Sequence, residues 1–419
     1  MRTFFEHLYR TVLFIYLTYN ILMRFAHMSD VHLGVWSNHP ELKELSVQAF
    51  EQAIDRCIAE QLDFIVIAGD LFDTSLPPID ILKRAAAKFR QCKEAGIRIY
   101  AVPGSHDFSP TGKTMLGVLE ESGLMTNVAR SEEADGKTRL IMHRDKSGAL
   151  ICGIGGKKGA LEDSDFENLE REYDEKGFKI FIFHSAISEY RPPHLKDMRA
   201  VSLQKLPLDF DYYAAGHIHM KHIDEESRVF FPGSVFPCDF DELEKNQCGF
   251  YIVDEKVNYE WIRTTSFGIV MIKLSVDGMS VSDVEEHILG KIEKENLENS
   301  ILMLKLEGVL NGKQSDINFK AVSNKALEKG AISVKRSVHI TSNELGGIAV
   351  KPNTSIELLE KEVVKDHKPQ KSLFQLPPDK EEKLVFDLMN LFKDEKQEDE
   401  ATYVFEERVR QNAKKVLGI

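Results

Sequence analysis

The run Phe64-Ile65-Val66-Ile67-Ala68-Gly69-Asp70-Leu71-Phe72-Asp73 begins with five apolar residues, three of them β-branched, and breaks at Gly-Asp. Such a run reads as a strand covered on both faces, because a strand with one wet face alternates apolar and polar side chains. Its exit delivers one carboxylate, Asp70, to the edge of the sheet. Open α/β sheets do their chemistry in the crevice at the carboxyl ends of their strands, so Asp70 is a candidate ligand as well as a turn former.

Upstream, residues 24–29 read as a first strand that ends in Asp30-Val31-His32. In extended chain, residues two apart point the same way, so Asp30 and His32 can both reach one ion. Apolar residues at helical spacing over 40–60 lead from that strand to the Asp70 strand, and a second helix over 80–95 is closed by Gly96. The next strand, 97–102, runs into Pro103-Gly104-Ser105-His106-Asp107. Strand-helix-strand units of this kind imply parallel pairing at the centre of the sheet. Further on, residues 179–183 deliver His184, and residues 212–216 deliver His217-Ile218-His219. Residues 230–235 and 249–253 complete a strand-rich second half.

The chain of 419 residues, 42% hydrophobic, can bury a sizeable core in two or three domains. Its five cysteines, Cys57, Cys92, Cys152, Cys238 and Cys248, form no CxxC pair, which argues against a disulfide framework or zinc knuckle and for the reducing cytoplasm. A net charge of −13 is unusual for a nucleic-acid binder, although bound divalent ions would add positive charge that the count omits. Residues 1–22 hold an apolar run too short to span a bilayer and no cleavage site, so they read as an over-extended leader with Met23 as the initiator and no membrane anchor. From residue 264 the pattern becomes a small α+β domain: strands at 270–275, 301–306 and 332–336, with Ser282-x-x-Glu285 as the capping box of a helix. Prolines 352, 369, 377 and 378 mark a linker over 346–378. Beyond it, Leu384, Leu388, Leu391 and Phe392 form one apolar stripe and Phe405, Val409, Ala413 and Val416 another, on two helices around an acidic turn.

Taken singly, a histidine is more often a core or surface residue than a ligand. Five strand-exit clusters in order are another matter. Asp30, His32, Asp70, Ser105, His106, His184, His217 and His219 form a carboxylate–imidazole set without thiolate, suited to Mn, Fe, Mg or Zn, with an Asp able to bridge two ions about 3.5 to 4 Å apart. Such a pair of ions cleaves phosphoesters.

The motifs Ser29-Asp30-Val31-His32, Gly69-Asp70-Leu71-Phe72-Asp73, Gly104-Ser105-His106-Asp107, His184, Gly216-His217-Ile218-His219 and Pro232-Gly233-Ser234 resemble those of the calcineurin-like metallophosphoesterases, and within them the SbcD-type DNA double-strand-break repair nucleases. The resemblance implies an α/β fold: a four-layer α/β/β/α sandwich over 23–263, a smaller α+β cap over 264–345 that positions DNA, and a C-terminal helical tail over 379–419 that binds an SbcC-type coiled-coil ABC ATPase. It implies two divalent ions, manganese first among them. Asp30, His32 and His219 would hold one, His184 and His217 the other, and Asp70 would bridge. His106 would act on the scissile phosphate as proton donor, with Asp107 orienting it. A homodimer is the expected assembly and DNA the expected substrate. One departure stands out: Ser105 occupies the place where the family has an asparagine that ligates the second ion. Two alternatives remain open, a phosphodiesterase acting on nucleotides or small diesters, and a weakly catalytic DNA-end scaffold.

Overall fold

The computed structural model describes residues 22–109, 114–134, 136–157, 163–191, 198–342, 378–393 and 402–417. The leader, apart from residue 22, and the linker, apart from residue 378, lie outside the described residues. The chain divides into two compact units. The first runs to Ser275 and adds Glu285–Glu307 and Asn318–His339; the second comprises Val276–Val284, Gly308–Ile317 and the chain from Ile340 onward.

The first unit is built on two six-stranded sheets, with a hairpin of β5 (Ser131–Ala134) and β6 (Lys137–Leu140) beside them in sequence. In one, β1 (Arg24–Met28), β2 (Phe64–Ala68), β3 (Arg98–Val102) and β4 (Thr126–Asn127) run parallel, and β13 (Gly249–Asp254) and β14 (Tyr259–Arg263) extend the β1 edge antiparallel. In the other, β8 (Leu150–Ile154), β9 (Lys179–His184), β10 (Tyr212–Gly216) and β12 (Val229–Phe231) are parallel, flanked by the antiparallel edges β7 (His143–Arg144) and β11 (His222–Asp224).

The β2 run is apolar at every position because both of its faces are covered. Phe64, Val66 and Ala68 pack between the sheets with Ile180, Ile182, Tyr212 and Ala214, while Ile65 and Ile67 face the helices α1 (Pro40–Ala59) and α2 (Ile79–Glu94). On the second sheet Phe181 and Phe183 turn outward onto Phe166, Tyr173 and Phe210. The two sheets thus stack face to face, with helices over the outer face of the first; the outer face of the second is covered by loops, two 3-10 turns and the short helix Asp163–Glu167. Strands in this arrangement end at a common rim, and β1, β2, β3, β9 and β10 all bring their carboxyl ends there.

A third sheet joins β15 (Gly268–Ser275), β16 (Ser300–Leu310) and β17 (Ala331–Ser342), with β15 and β16 parallel. Phe267, Ile301 and Met303 enter the same core as the helices on the first sheet. The helix between β15 and β16 spans Val281–Lys294, and its capping box lies two residues earlier than Ser282-x-x-Glu285. Ser280 Oγ accepts from the Asp283 N–H at 3.2 Å and Asp283 Oδ2 accepts from the Ser280 N–H at 3.1 Å. Glu285 instead accepts from the Asn318 N–H. Both Ser280 and Ser282 precede an acid by three, and only tertiary context selects between them. In the second unit, helices Pro378–Phe392 and Thr402–Leu417 pack on each other; Leu384, Leu388 and Leu391 are half-buried, and Phe392 is 70% exposed.

Candidate metal centre

Four of the site residues carry backbones that non-glycine residues rarely adopt: φ is +51° at Asp30, +46° at His32, +51° at Asp70 and +98° at His217. The strands have already ended at Met28, Ala68 and Gly216. Asp30 and His32 therefore converge through left-handed turns and not through the extended-chain alternation expected from the sequence, and the His217-Ile218-His219 pair likewise follows its strand. Such turns are held by their surroundings. The Asp30 N–H donates to Gly69 O (3.1 Å) and the His32 N–H to Asp70 O (3.0 Å), tying the first two strand exits together.

Asp30 is wholly buried, and its carboxylate accepts from Ser29 Oγ (2.6 Å) and from the His217 N–H (3.0 and 3.1 Å). Asp70, 2% exposed, accepts from the His106 N–H at 2.7 Å and stands 3.1 Å from His184 Nε2 and 3.6 Å from His32 Nε2. Ligand atoms of Asp30, His32 and Asp70 all lie within 4.8 Å of one another. Across this group His32 Nε2 meets His219 Nε2 at 3.1 Å, and His184 Nε2 meets His217 Nδ1 at 3.3 Å. Asp30, His32, Asp70, His184, His217 and His219 thus form one cluster at the common rim. Ser105 is half-buried beside it, its backbone nitrogen 3.2 Å from where a Cβ on Gly156 would stand.

The close packing needs glycine at two places. A Cβ on Gly104 would lie 2.2 Å from Asp70 N and Oδ1, and one on Gly216 would lie 2.0 Å from Ala68 O.

The imidazoles are oriented from behind. His184 Nδ1 donates to Ala68 O at 2.8 Å, and His219 Nδ1 donates to Glu242 Oε1 at 2.6 Å. In both rings this leaves Nε2 without its own hydrogen when the ring is neutral, directed among the carboxylates. A bare nitrogen lone pair against a carboxylate is repulsive, so either protons or cations must sit between them. Burial would lower His184, yet Asp70 and Asp30 raise it to about 9; burial would lower His219, yet Glu242 and Asp30 raise it to about 10. Burial would raise the Asp70 carboxyl, but His184 and His32 carry it well below the carboxylate range, while burial and the neighbouring His184 push His217 down to about 4. Two buried carboxylates and four converging imidazoles fit divalent cations of the Mn, Fe or Zn kind.

Among known families, the model of the calcineurin-like phosphoesterases matches residues 23–221. This region is a calcineurin-like phosphoesterase domain. The chain is 30% identical over 251 residues to the DNA double-strand break repair protein Mre11 of Methanococcus maripaludis, a match over 55% of this chain and 63% of the relative. It is 26% identical over 293 residues to the protein of the same name from Archaeoglobus fulgidus, covering 66% and 65%. A third, from Methanopyrus kandleri, is 29% identical over 267 residues, covering 58% of each chain. The chain spans less than two thirds of the length of these relatives.

One residue of the phosphoesterase domain sits elsewhere than the sequence suggested. Asp107 does not meet the His106 ring. It is buried and accepts from the backbone N–H groups of Leu71 (3.1 Å), Phe72 (3.0 Å) and Gly104 (3.0 Å), locking the Asp70 loop to the Gly104 loop. Burial and the Asp70 charge lift its carboxyl to about 6 against those three bonds. The ring of exposed His106 bonds through Nδ1 to Asp73 O (2.8 Å) and stands edge-on to His32, centroids 4.7 Å apart. Asp73, whose carboxylate also lies 3.4 Å from His32 Nδ1, was inside the Gly69–Asp73 motif but had no role assigned from sequence. Glu242 was missed altogether. Besides His219 it accepts from Ser234 Oγ (3.0 Å) and the Cys238 N–H (2.9 Å), and one glutamate in an acidic helix carries no signal that a histidine 23 residues earlier will be its partner.

Proposed function

We propose that this protein is a metal-dependent nuclease that hydrolyses phosphodiester bonds during DNA double-strand-break processing, as a homodimer in the cytoplasm with a coiled-coil ABC ATPase. The observation that carries the reading is the convergence of Asp30, His32, Asp70, His184, His217 and His219 at one rim. The names of the Mre11 relatives support DNA as substrate. The half-buried stripes on the two C-terminal helices support the ATPase. Among the described residues no helix is long and apolar enough to cross a membrane.

Asp30, His32 and His219 would hold one ion, His184 and His217 the other, and Asp70 both. Manganese is the first choice, with iron, magnesium and zinc also suited to these donors. When bound, such a pair supplies a hydroxide at neutral pH and neutralises the phosphate. The protein does the rest. Ala68 O and Glu242 fix the tautomers of His184 and His219, so both rings present Nε2. His106, with Nδ1–H spent on Asp73 O, would give a proton from Nε2 to the leaving oxygen as the imidazolium, which carries a proton on both nitrogens. Asp107 holds the two loops that carry Asp70 and His106. The third sheet would position DNA.

The net charge of −13 favours a second reading, a diesterase for nucleotides or small diesters. Ser105 motivates a third, a DNA-end scaffold with little catalysis. Manganese-supplemented digestion of linear duplex DNA beside a bis-p-nitrophenyl phosphate assay separates them. Cleavage of both supports the nuclease, cleavage of the diester alone replaces it with the second reading, and DNA binding without cleavage of either replaces it with the third.

A further inference from the structure

Of the five cysteines, Cys238 is the one that is not fully buried, and it is also the one at the metal centre. Its Sγ, a nitrogen of His32 and a nitrogen of His219 all lie within 4.8 Å of one another. The same glutamate that orients His219 also receives the Cys238 backbone N–H, at 2.9 Å, so the thiol is carried on a segment held to the ligand. The Sγ makes one weak contact, to Phe236 O at 3.3 Å, which it can exchange. We propose that His32, His219 and Cys238 form a second, thiophilic metal site that overlaps the catalytic one and captures soft cations, zinc, cadmium or copper(I), in a form unable to support hydrolysis.

The chemistry follows from donor type. Hard ions such as magnesium and manganese prefer carboxylate oxygen and leave a neutral thiol alone, whereas zinc and cadmium bind thiolate together with imidazole readily. On capture a metal–sulfur bond forms, the thiol proton passes to water, and no electron moves. His32 and His219 would then be committed to an ion drawn toward Cys238 and away from Asp70, breaking the pairing that the bridging carboxylate needs. The soft-metal arrangement thus inhibits by taking two ligands from the catalytic one. The inference rests on the reading of this rim as a metal centre but not on DNA being its substrate.

Cadmium titration of the metal-free, full-length protein tests it. A cadmium–thiolate charge-transfer band in the ultraviolet should rise to saturation at one equivalent, and it should be absent in Cys238→Ser. His219→Gln should weaken cadmium binding by roughly 10- to 100-fold. In parallel, zinc is titrated against manganese-supported hydrolysis of bis-p-nitrophenyl phosphate, each protein normalised to its own rate without zinc. Cys238→Ser should need about tenfold more zinc for half inhibition. A band of equal strength in Cys238→Ser, or no band in the wild type, overturns the proposal. A protein that gives the band but no hydrolysis with any metal retains the soft-metal site and loses the proposed activity instead.

Discussion

At Asp70 a single carboxylate faces His184 and His32 from under 4 Å while its other oxygen is held by the His106 N–H. Asp70→Ala should abolish diester cleavage while circular dichroism and melting stay near wild type, because in the proposed arrangement its carboxylate would serve both ions. His106 contacts Asp73 O and is exposed, so His106→Gln should lower turnover by about 10² to 10⁴ with metal stoichiometry unchanged; metal loss on equilibrium dialysis would make it a ligand instead. Glu242→Ala removes the acceptor of His219 Nδ1 and frees the wrong tautomer. Metal affinity should fall by roughly 10- to 100-fold, and excess manganese should restore much of the rate. Ser105→Asn adds an amide oxygen on the loop that, with His184, flanks Gly156. It should tighten the weaker metal site and raise the rate at limiting manganese more than at saturation, read from a manganese titration of both proteins.

Strands hold these residues in place, and their own anchoring is testable apart from the chemistry. Parallel β3 carries the Gly104 loop, and its start is held by Asp145, whose side chain is buried and accepts from Arg98 Nη2 and Tyr100 Oη, both at 2.8 Å. Burial would raise the Asp145 carboxyl, yet the hydrogen bonds from Arg98 and Ser147 hold it below the usual range. A carboxyl depressed in the folded state stabilises above the unfolded value, near pH 4, and loses that contribution as pH falls through the folded value. Asp145→Asn should therefore destabilise by about 2 kcal/mol at pH 7 in urea melts, and the gap to wild type should narrow below about pH 4. Elements were legible where pattern is local. The apolar runs of β2, β9 and β10 and the helices at Pro40–Ala59 and Ile79–Glu94 follow from periodicity and punctuation. The capping box was misplaced because Ser280 and Ser282 look alike to a local rule.

For the molecule as a whole, the proposed ATPase contact separates from catalysis. Both C-terminal helices carry half-buried apolar stripes, with Phe392 at 70% exposure. Deleting the residues after Lys371 should leave bis-p-nitrophenyl phosphate cleavage intact and remove co-purification with a coiled-coil ATPase. If the truncated protein melts much lower or aggregates, the helices stabilise the body and the partner role fails.

What the chain determined by itself is the set of strand exits. An apolar run that stops at Gly-Asp, Ser-Asp or Gly-His carries both the burial of the strand and the donor that follows it in one local pattern, so Asp30, His32, Asp70, His184, His217 and His219 could be named together from sequence. Tertiary structure decided what stands behind those donors. Glu242 reaches His219, Ala68 O reaches His184, and Asp107 turns from its neighbour His106 to amides some 35 residues away. Tertiary structure also decided how Asp30 and His32 converge, through left-handed turns locked across strands. Strand exits recur as short-range patterns, whereas hydrogen-bond partners distant in sequence are chosen only when the sheets have stacked and the rim has closed.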